Sequence, residues 1–134
     1  MSVPADLKYT TDHEWTLSKD GAGGSEMTIG ITSFAVEQLG DITLVNLDVK
    51  AGDVVAAGKT FGTIESVKTL SDLFAPVSGK IVKVNADLEK QPELVNEDCY
   101  GKGWMVVIAP SDASESAKLM DATAYGAYVK TAAH

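Results

Sequence analysis

The sequence predicts a mostly β fold, a flattened barrel or sandwich of short antiparallel strands with peripheral short helices and a C-terminal helix. Runs rich in Val, Ile, Leu and Thr recur at 26–31, 42–48, 61–66, 80–85 and 104–109. That length and composition suit strands. Turn signals separate them: Ala51-Gly52-Asp53, Ala57-Gly58-Lys59 and Ala75-Pro76-Val77-Ser78-Gly79, where Pro fixes φ and Gly permits positive φ. Gly21-Ala22-Gly23-Gly24 reads as a hairpin loop joining Trp15-Thr16-Leu17 to Met27-Thr28-Ile29.

Helical signals are short and peripheral. Thr32 or Ser33 caps a helix that ends before Gly40, with Ile31, Ala35 and Leu39 on one side. Asn85 caps a second, 86–91, stopped by Pro92, and Ser111 caps a third, 112–120. Asp121 starts a last helix through Tyr125 and Tyr128. Gly52-Asp53-Val54-Val55 and Ser78-Gly79-Lys80-Ile81-Val82 form a faint internal repeat. The 134 residues fit one domain, with a core over about 8–110 and a helical extension over about 111–134.

Composition narrows the function. The formal charge is −8, and all 11 basic residues are Lys. A chain without Arg lacks the usual bidentate reader of phosphate and guanine, and its acidity repels nucleic acid and anionic membranes. We expect neither as a partner, and expect a basic docking face on whatever the chain does bind. No apolar run approaches the roughly 20 residues of a membrane span. The start, Met1-Ser2-Val3-Pro4-Ala5-Asp6, has neither an apolar signal core nor an Arg-rich amphipathic stretch, as expected of a mature soluble protein. Cys99, alone, excludes an internal disulfide and a cysteine-cluster metal site, and its acidic neighbours disfavour a thiolate.

The informative segment runs from Gly62 through Glu65-Ser66-Val67-Lys68 to Ser71-Asp72-Leu73 and Gly79. One strand enters at Phe61 and another leaves near Leu70. A two-residue turn at Val67-Lys68 puts Lys68 at its tip with the ammonium in solvent. A type I′ turn needs positive φ at both central positions, which β-branched Val resists, so a type I turn is easier. A lysine at a strand end ordinarily just keeps an edge soluble. Here it also has Glu65 three residues before it and Gly79 eleven after it.

Those residues resemble the lipoyl-attachment segment of the glycine cleavage H proteins. The resemblance extends along nearly the whole chain. Tyr9-Thr10 with His13-Glu14-Trp15, Gly30-Ile31-Thr32, and Leu39-Gly40-Asp41-Ile42 are similar to the family's N-terminal blocks. Val84-Asn85, Pro92-Glu93-Leu94-Val95-Asn96, Tyr100-Gly101, Gly103-Trp104 and Asp121-Ala122 with Tyr125 follow in the family's order. The departures are Cys99 for a usual Pro, Thr69 for a small Ala, and Val49-Lys50 where a Pro-containing turn is typical.

The resemblance implies a lipoyl/biotinyl-type fold, covalent lipoic acid on Lys68, and no catalytic or metal-binding residue. It implies that Glu65 and Gly79 aid the lipoate ligase or lipoyl/octanoyl transferase. It also implies a shuttle of glycine's aminomethyl group from a pyridoxal-phosphate glycine decarboxylase to a tetrahydrofolate-dependent aminomethyltransferase, with reoxidation by dihydrolipoamide dehydrogenase. A shuttle should be a monomer, in a bacterial cytoplasm or, as a processed form, a mitochondrial matrix. The alternative is a lipoate relay serving 2-oxo acid dehydrogenase complexes. Stem and arm reach about 14 Å, ten bonds of about 1.5 Å. The family folds the loaded, cationic arm onto the protein, and a cation leaving water needs a carboxylate. Glu14 and Asp72, supported by Asp12, are the candidates for that docking.

Competing readings fail on particular residues. Gly58-Lys59-Thr60 ends like a P-loop, but Asp53 stands where the first Gly belongs and a strand follows instead of a helix. Gly21-Ala22-Gly23 lacks the helix of a dinucleotide fingerprint. A Schiff-base lysine needs desolvation, which a turn tip denies. A biotin carrier would have Met beside the lysine, and a 2-oxo acid dehydrogenase lipoyl domain would have Asp at 67; the neighbours are Val67 and Thr69.

Overall fold

The computed structural model describes residues 3–21 and 24–132. In chain order it contains β1 (Lys8–Tyr9), β2 (Glu14–Gly21), β3 (Gly24–Ile31), α1 (Ser33–Leu39), β4 (Ile42–Leu47), β5 (Val54–Val55), β6 (Thr60–Ser66) and β7 (Leu70–Phe74). Then come β8 (Gly79–Val84), α2 (Asp87–Lys90), α3 (Leu94–Glu97), β9 (Val106–Pro110), a 3-10 turn (Ala113–Lys118) and α4 (Ala122–Ala132). The strands form a six-stranded sheet, β1-β2-β3-β9-β8-β5, and a three-stranded sheet, β4-β6-β7. All strand pairs are antiparallel.

Alternating apolar residues from both sheets make the main core. Met27, Ile29 and Ile31 of β3, Val45 and Leu47 of β4, Phe61 and Ile64 of β6, and Ile81 of β8 are all buried there. A period of two turns every second side chain of β3 inward, and a register shift between Thr60 and Gly62 lets both Phe61 and Ile64 of β6 face the core. The two halves of the internal repeat pair with each other, Val54 opposite Lys80 and Val55 opposite Gly79.

Most elements fall where the sequence put them. The β2–β3 hairpin pairs Thr16 with Ile29 and Leu17 with Thr28; Ala22 and Gly23 lie outside the described residues. α1 is capped by Thr32, whose side chain accepts from the Ala35 amide, and ends at Gly40 with φ 79°. Other expectations need correction. The helix expected over 86–91 spans only Asp87–Lys90, and its Ala86 cap makes no side-chain bond. Asn85 does cap it, its Oδ1 accepting from the Asp87 amide at 3.3 Å, while its Nδ2 donates to the Lys102 and Trp104 carbonyls. A further helix, α3, begins just past Pro92, because Pro ends one helix yet is tolerated at the start of the next. The helix expected from Ser111 is a 3-10 turn capped by Asp112, which accepts from the Ser114 amide. Trp104 and Met105 precede the last strand, which starts at Val106.

A second core cluster sits beside the first: Leu7, Tyr9, Trp15, Phe34, Tyr125 and Val129. It attaches the C-terminal segment. Tyr9 forms an isolated bridge with Met120, and its ring stacks on Tyr125 at 4.5 Å and 8°. The Tyr125 hydroxyl lies 2.7 Å from His13 Nδ1 and 2.8 Å from Thr32 Oγ1. One phenol thus ties α4 to the α1 cap and to the turn before β2. Among the described residues, no buried side-chain nitrogen or oxygen lacks a partner.

Tyr125→Phe removes both hydrogen bonds while keeping the ring, and leaves the buried Thr32 hydroxyl short of a partner. We predict a loss of about 1–2 kcal/mol in urea unfolding, against less than about 0.5 kcal/mol for Tyr128→Phe. Equal small effects would show that the Tyr125 hydroxyl holds nothing.

Candidate functional site

Lys68 is exposed in the turn that joins β6 to β7. Glu65 and Leu70 are the last paired residues before it. The Ser66 amide donates to the Thr69 carbonyl at 2.8 Å. The return bond of an ordinary hairpin is replaced: the amides of Lys68 and Thr69 both donate to Ser66 Oγ at 3.2 Å. Among the described non-glycine residues only His13 has positive φ, so the turn is not of the primed type. Ser66 allows this by supplying an acceptor that the backbone would otherwise provide.

The turn also rests on a platform. The Val67 amide donates to the Asp41 carbonyl at 3.0 Å. Asn96 of α3 clamps the segment around Asp41 from both sides: its Oδ1 accepts from the Ile42 amide at 2.8 Å and its Nδ2 donates to the Gly40 carbonyl at 3.0 Å. Gly40 adopts a left-handed φ that few residues tolerate. A Cβ there would meet the Lys68 stem at 3.5 Å. The lysine therefore leaves a turn fixed by β6, β7 and α3 together.

A cleft of about 290 Å³ opens between α1 and β7. Leu39 and Ser71 line it near the Lys68 end, and Phe34, His13 and Glu14 line it further along. Glu14 is 2% exposed, and its Oε1 accepts from the Thr10 hydroxyl at 2.9 Å. Its Oε2 accepts from the Phe74 amide at 3.3 Å. Phe74 lies four residues along β7 from Leu70, a run of about 14 Å at about 3.4 Å per residue. Burial pushes the Glu14 carboxyl up to about 8; the Thr10 and Phe74 bonds oppose that, and nearby Asp12 adds to it. Burial likewise lowers the His13 imidazole, and Asp12 opposes it. His13 stands over Phe34 with ring centroids 4.6 Å apart.

The other expected residues fall in different places. Asp12 is exposed at the cleft mouth. Asp72 is on the cleft rim, but alternation along β7 turns Ser71 inward and sets Asp72 in the outer row with Thr63 and Asn46. Glu65 is exposed in the neighbouring outer row. Gly79 is buried at the start of β8, where a Cβ would collide with the Ala109 carbonyl. Only glycine lets β8 and β9 approach so closely. Cys99 is buried and its thiol is pushed up to about 11, chiefly by burial. Ser66, Asn96 and the His13–Tyr125 pair were not singled out from sequence. Only Ser66 left a local sign, as a turn-favouring residue beside the tip.

Such an arrangement defines a carrier-type β domain: a lysine on a braced tip, beside a cleft that ends at a buried acid. The model of the family described as Glycine cleavage H-protein matches residues 7–132. A glycine cleavage system H protein of Anaeromyxobacter sp. (strain K) is 49% identical over 130 residues, covering 97% of this chain and 98% of that one. The one from Bacillus subtilis (strain 168) is 50% identical over 125 residues, covering 93% and 94%. The crystal structure of a glycine cleavage system H protein from Mycobacterium marinum superposes with a TM-score of 0.82 at 39% identity, covering 94% of this chain and 98% of that one. The chain belongs to the glycine cleavage H-protein family and has its lipoyl-type fold.

The raised Glu14 value sets a sign. A carboxyl ionising near 8 when folded, against an ordinary 4.5, adds stability at low pH and loses it as pH climbs through that window. Glu14→Gln cannot ionise. We predict that the stability of Glu14→Gln relative to the parent rises between pH 5 and 8, by at most about 1.4 kcal/mol per unit, and is flat below 4.5. A difference constant across the window would show Glu14 to be solvated.

Proposed function

We propose that Lys68 carries a lipoyl group in amide linkage and that the chain is the mobile carrier of glycine cleavage. It passes glycine's aminomethyl group from a pyridoxal-phosphate decarboxylase to a tetrahydrofolate-dependent aminomethyltransferase, and a dihydrolipoamide dehydrogenase then reoxidises it. The observation that carries this is the match of lengths. β7 runs about 14 Å from Leu70, beside the Lys68 turn, to Phe74, whose amide meets Glu14, a span on the order of the reach of lysine stem and lipoyl arm together. The residues fit the group: an exposed amine, a partly apolar path and a buried acid at its end.

When bound, lipoate supplies a reducible disulfide on which the one-carbon unit is held. The chain's own residues attach, direct and shield it. A lipoate ligase or lipoyl/octanoyl transferase joins an activated acyl donor to Nζ; the amide forms as the donor's acyl–oxygen or acyl–sulfur bond breaks, and the ammonium gives up two of its three protons, the third remaining as the amide N–H. The braced turn presents Nζ in one geometry. Gly79 serves attachment indirectly, by letting β8 pack closely on β9. Once the load is cationic, Glu14 ionises to meet it, with Asp12 at the mouth and Asp72 on the rim adding negative potential. Phe34 and Leu39 keep water from the load. Tethering replaces a bimolecular search by a high local concentration, so the chain needs no catalytic residue.

Two measurements test the reading. Intact mass after incubation with lipoate, ATP and ligase should show one lipoyl increment on the parent and none on Lys68→Arg. Glu14→Ala should be lipoylated normally but lose its aminomethyl load at least about tenfold faster, the cost of removing one buried ion-pair partner. An unmodified parent would end the carrier reading, and equal lifetimes would remove Glu14 from it.

A further inference from the structure

Four large apolar side chains are exposed among the described residues: Leu44 at 47%, Val54 at 80%, Val67 at 67% and Leu70 at 62%. Three of them surround the Lys68 turn. The register makes Leu44 face Glu65 across β4–β6, and Glu65 face Leu70 across β6–β7. Directly paired residues project to the same side of a sheet. Leu44, Glu65 and Leu70 thus form one outer row about 10 Å wide, two strand spacings, while the exposed Val67 sits in the adjoining turn with its Cγ2 on the Gly40 side. The next outer row is Asn46, Thr63 and Asp72. β4, β6 and β7 contain no lysine, so two carboxylates and no cation come from these strands. A face that needed only solubility would carry Lys or Thr beside a tip, not two leucines around an acid.

We infer that this outer face of β4–β6–β7 is what the enzyme acylating Lys68 covers, through apolar contacts to Leu44 and Leu70 and a cation opposite Glu65. The inference rests on the carrier reading above. Reach selects the occupant. Before acylation the reacting nitrogen is only about 6 Å from its Cα, so an active site that engages it must sit on the residues flanking the turn. Enzymes that act on the far end of a 14 Å arm need not touch them. On the inner side the Lys68 stem already lies beside the Gly40 platform. The outer row is the open side. Its charge selects the chemistry: a basic side chain beside leucine-sized pockets, desolvating Glu65 as the complex closes.

Initial rates of lipoylation of the apo chain, with lipoate, ATP and a lipoate ligase, test this by intact mass over a range of apo-chain concentrations. Leu44→Ser with Leu70→Ser should lower kcat/KM at least about tenfold, the scale of an interface hot spot. The loss should fall on KM, with kcat within about threefold and an unchanged far-UV spectrum. Should the double variant fail to fold, Leu44→Thr and Leu70→Thr separately keep β propensity, and each should raise KM several-fold. Glu65→Gln should weaken the salt dependence of KM. A kcat/KM within twofold of the parent for folded variants would overturn the inference. So would normal acylation combined with slowed loading by the glycine decarboxylase, which would give the face to that enzyme. A parent that is not acylated at all would instead remove the carrier reading.

Discussion

Three hydrogen bonds at Ser66 and Val67 hold the part of this molecule on which the rest depends. A two-residue hairpin made of Val and Lys has no positive-φ residue to close it in the usual way. The Ser66 hydroxyl takes over as acceptor for two amides, and the Asp41 carbonyl takes a third. Each neutral bond contributes only about 1 kcal/mol. Together they replace a floppy strand end by a turn with one exit direction. On the proposed carrier reading, a group tethered there would sweep a defined arc instead of a full sphere, beside the cleft between α1 and β7.

The platform beneath the turn explains why peripheral helices occur in a β fold. α1 ends at Gly40, α3 supplies Asn96, and the segment they pinch carries the acceptor for Val67. α4 braces the other end of the cleft, where Tyr125 fixes both His13 and the α1 cap. The two sheets provide a rigid frame, and the helices set the distance between an amine and a buried acid. Glu14 is stable there because both of its oxygens accept hydrogen bonds and because it is neutral over much of the physiological range. An acid held that way is poised to ionise when a cation arrives, without the standing cost of a buried charge.

Local features of the chain were legible. The strands, the Thr32 cap and Gly40 stop, and the tip position of Lys68 follow from neighbours within a few residues. What escaped depends on distant partners. Nothing around Glu14 in sequence shows that its second oxygen meets the Phe74 amide, 60 residues away. Asn96 looks like any residue of a short helix until the fold brings residues 40–42 against it. Asp72 reads as a neighbour of the tip, yet strand alternation sets it on the outer face. Ser111 and Asp112 are equally good caps by residue type, and only the backbone geometry chose Asp112. Gly79 shows its part only when β9 is placed beside it.

The central claim is the stiffness of the turn, and backbone relaxation measures it directly. ¹⁵N order parameters for Val67, Lys68 and Thr69 in the unmodified chain should be near about 0.85, matching the strands on either side. Values below about 0.6 at these three amides, with the flanking strands rigid, would mean that the tip is loose and that nothing in the fold aims the arm.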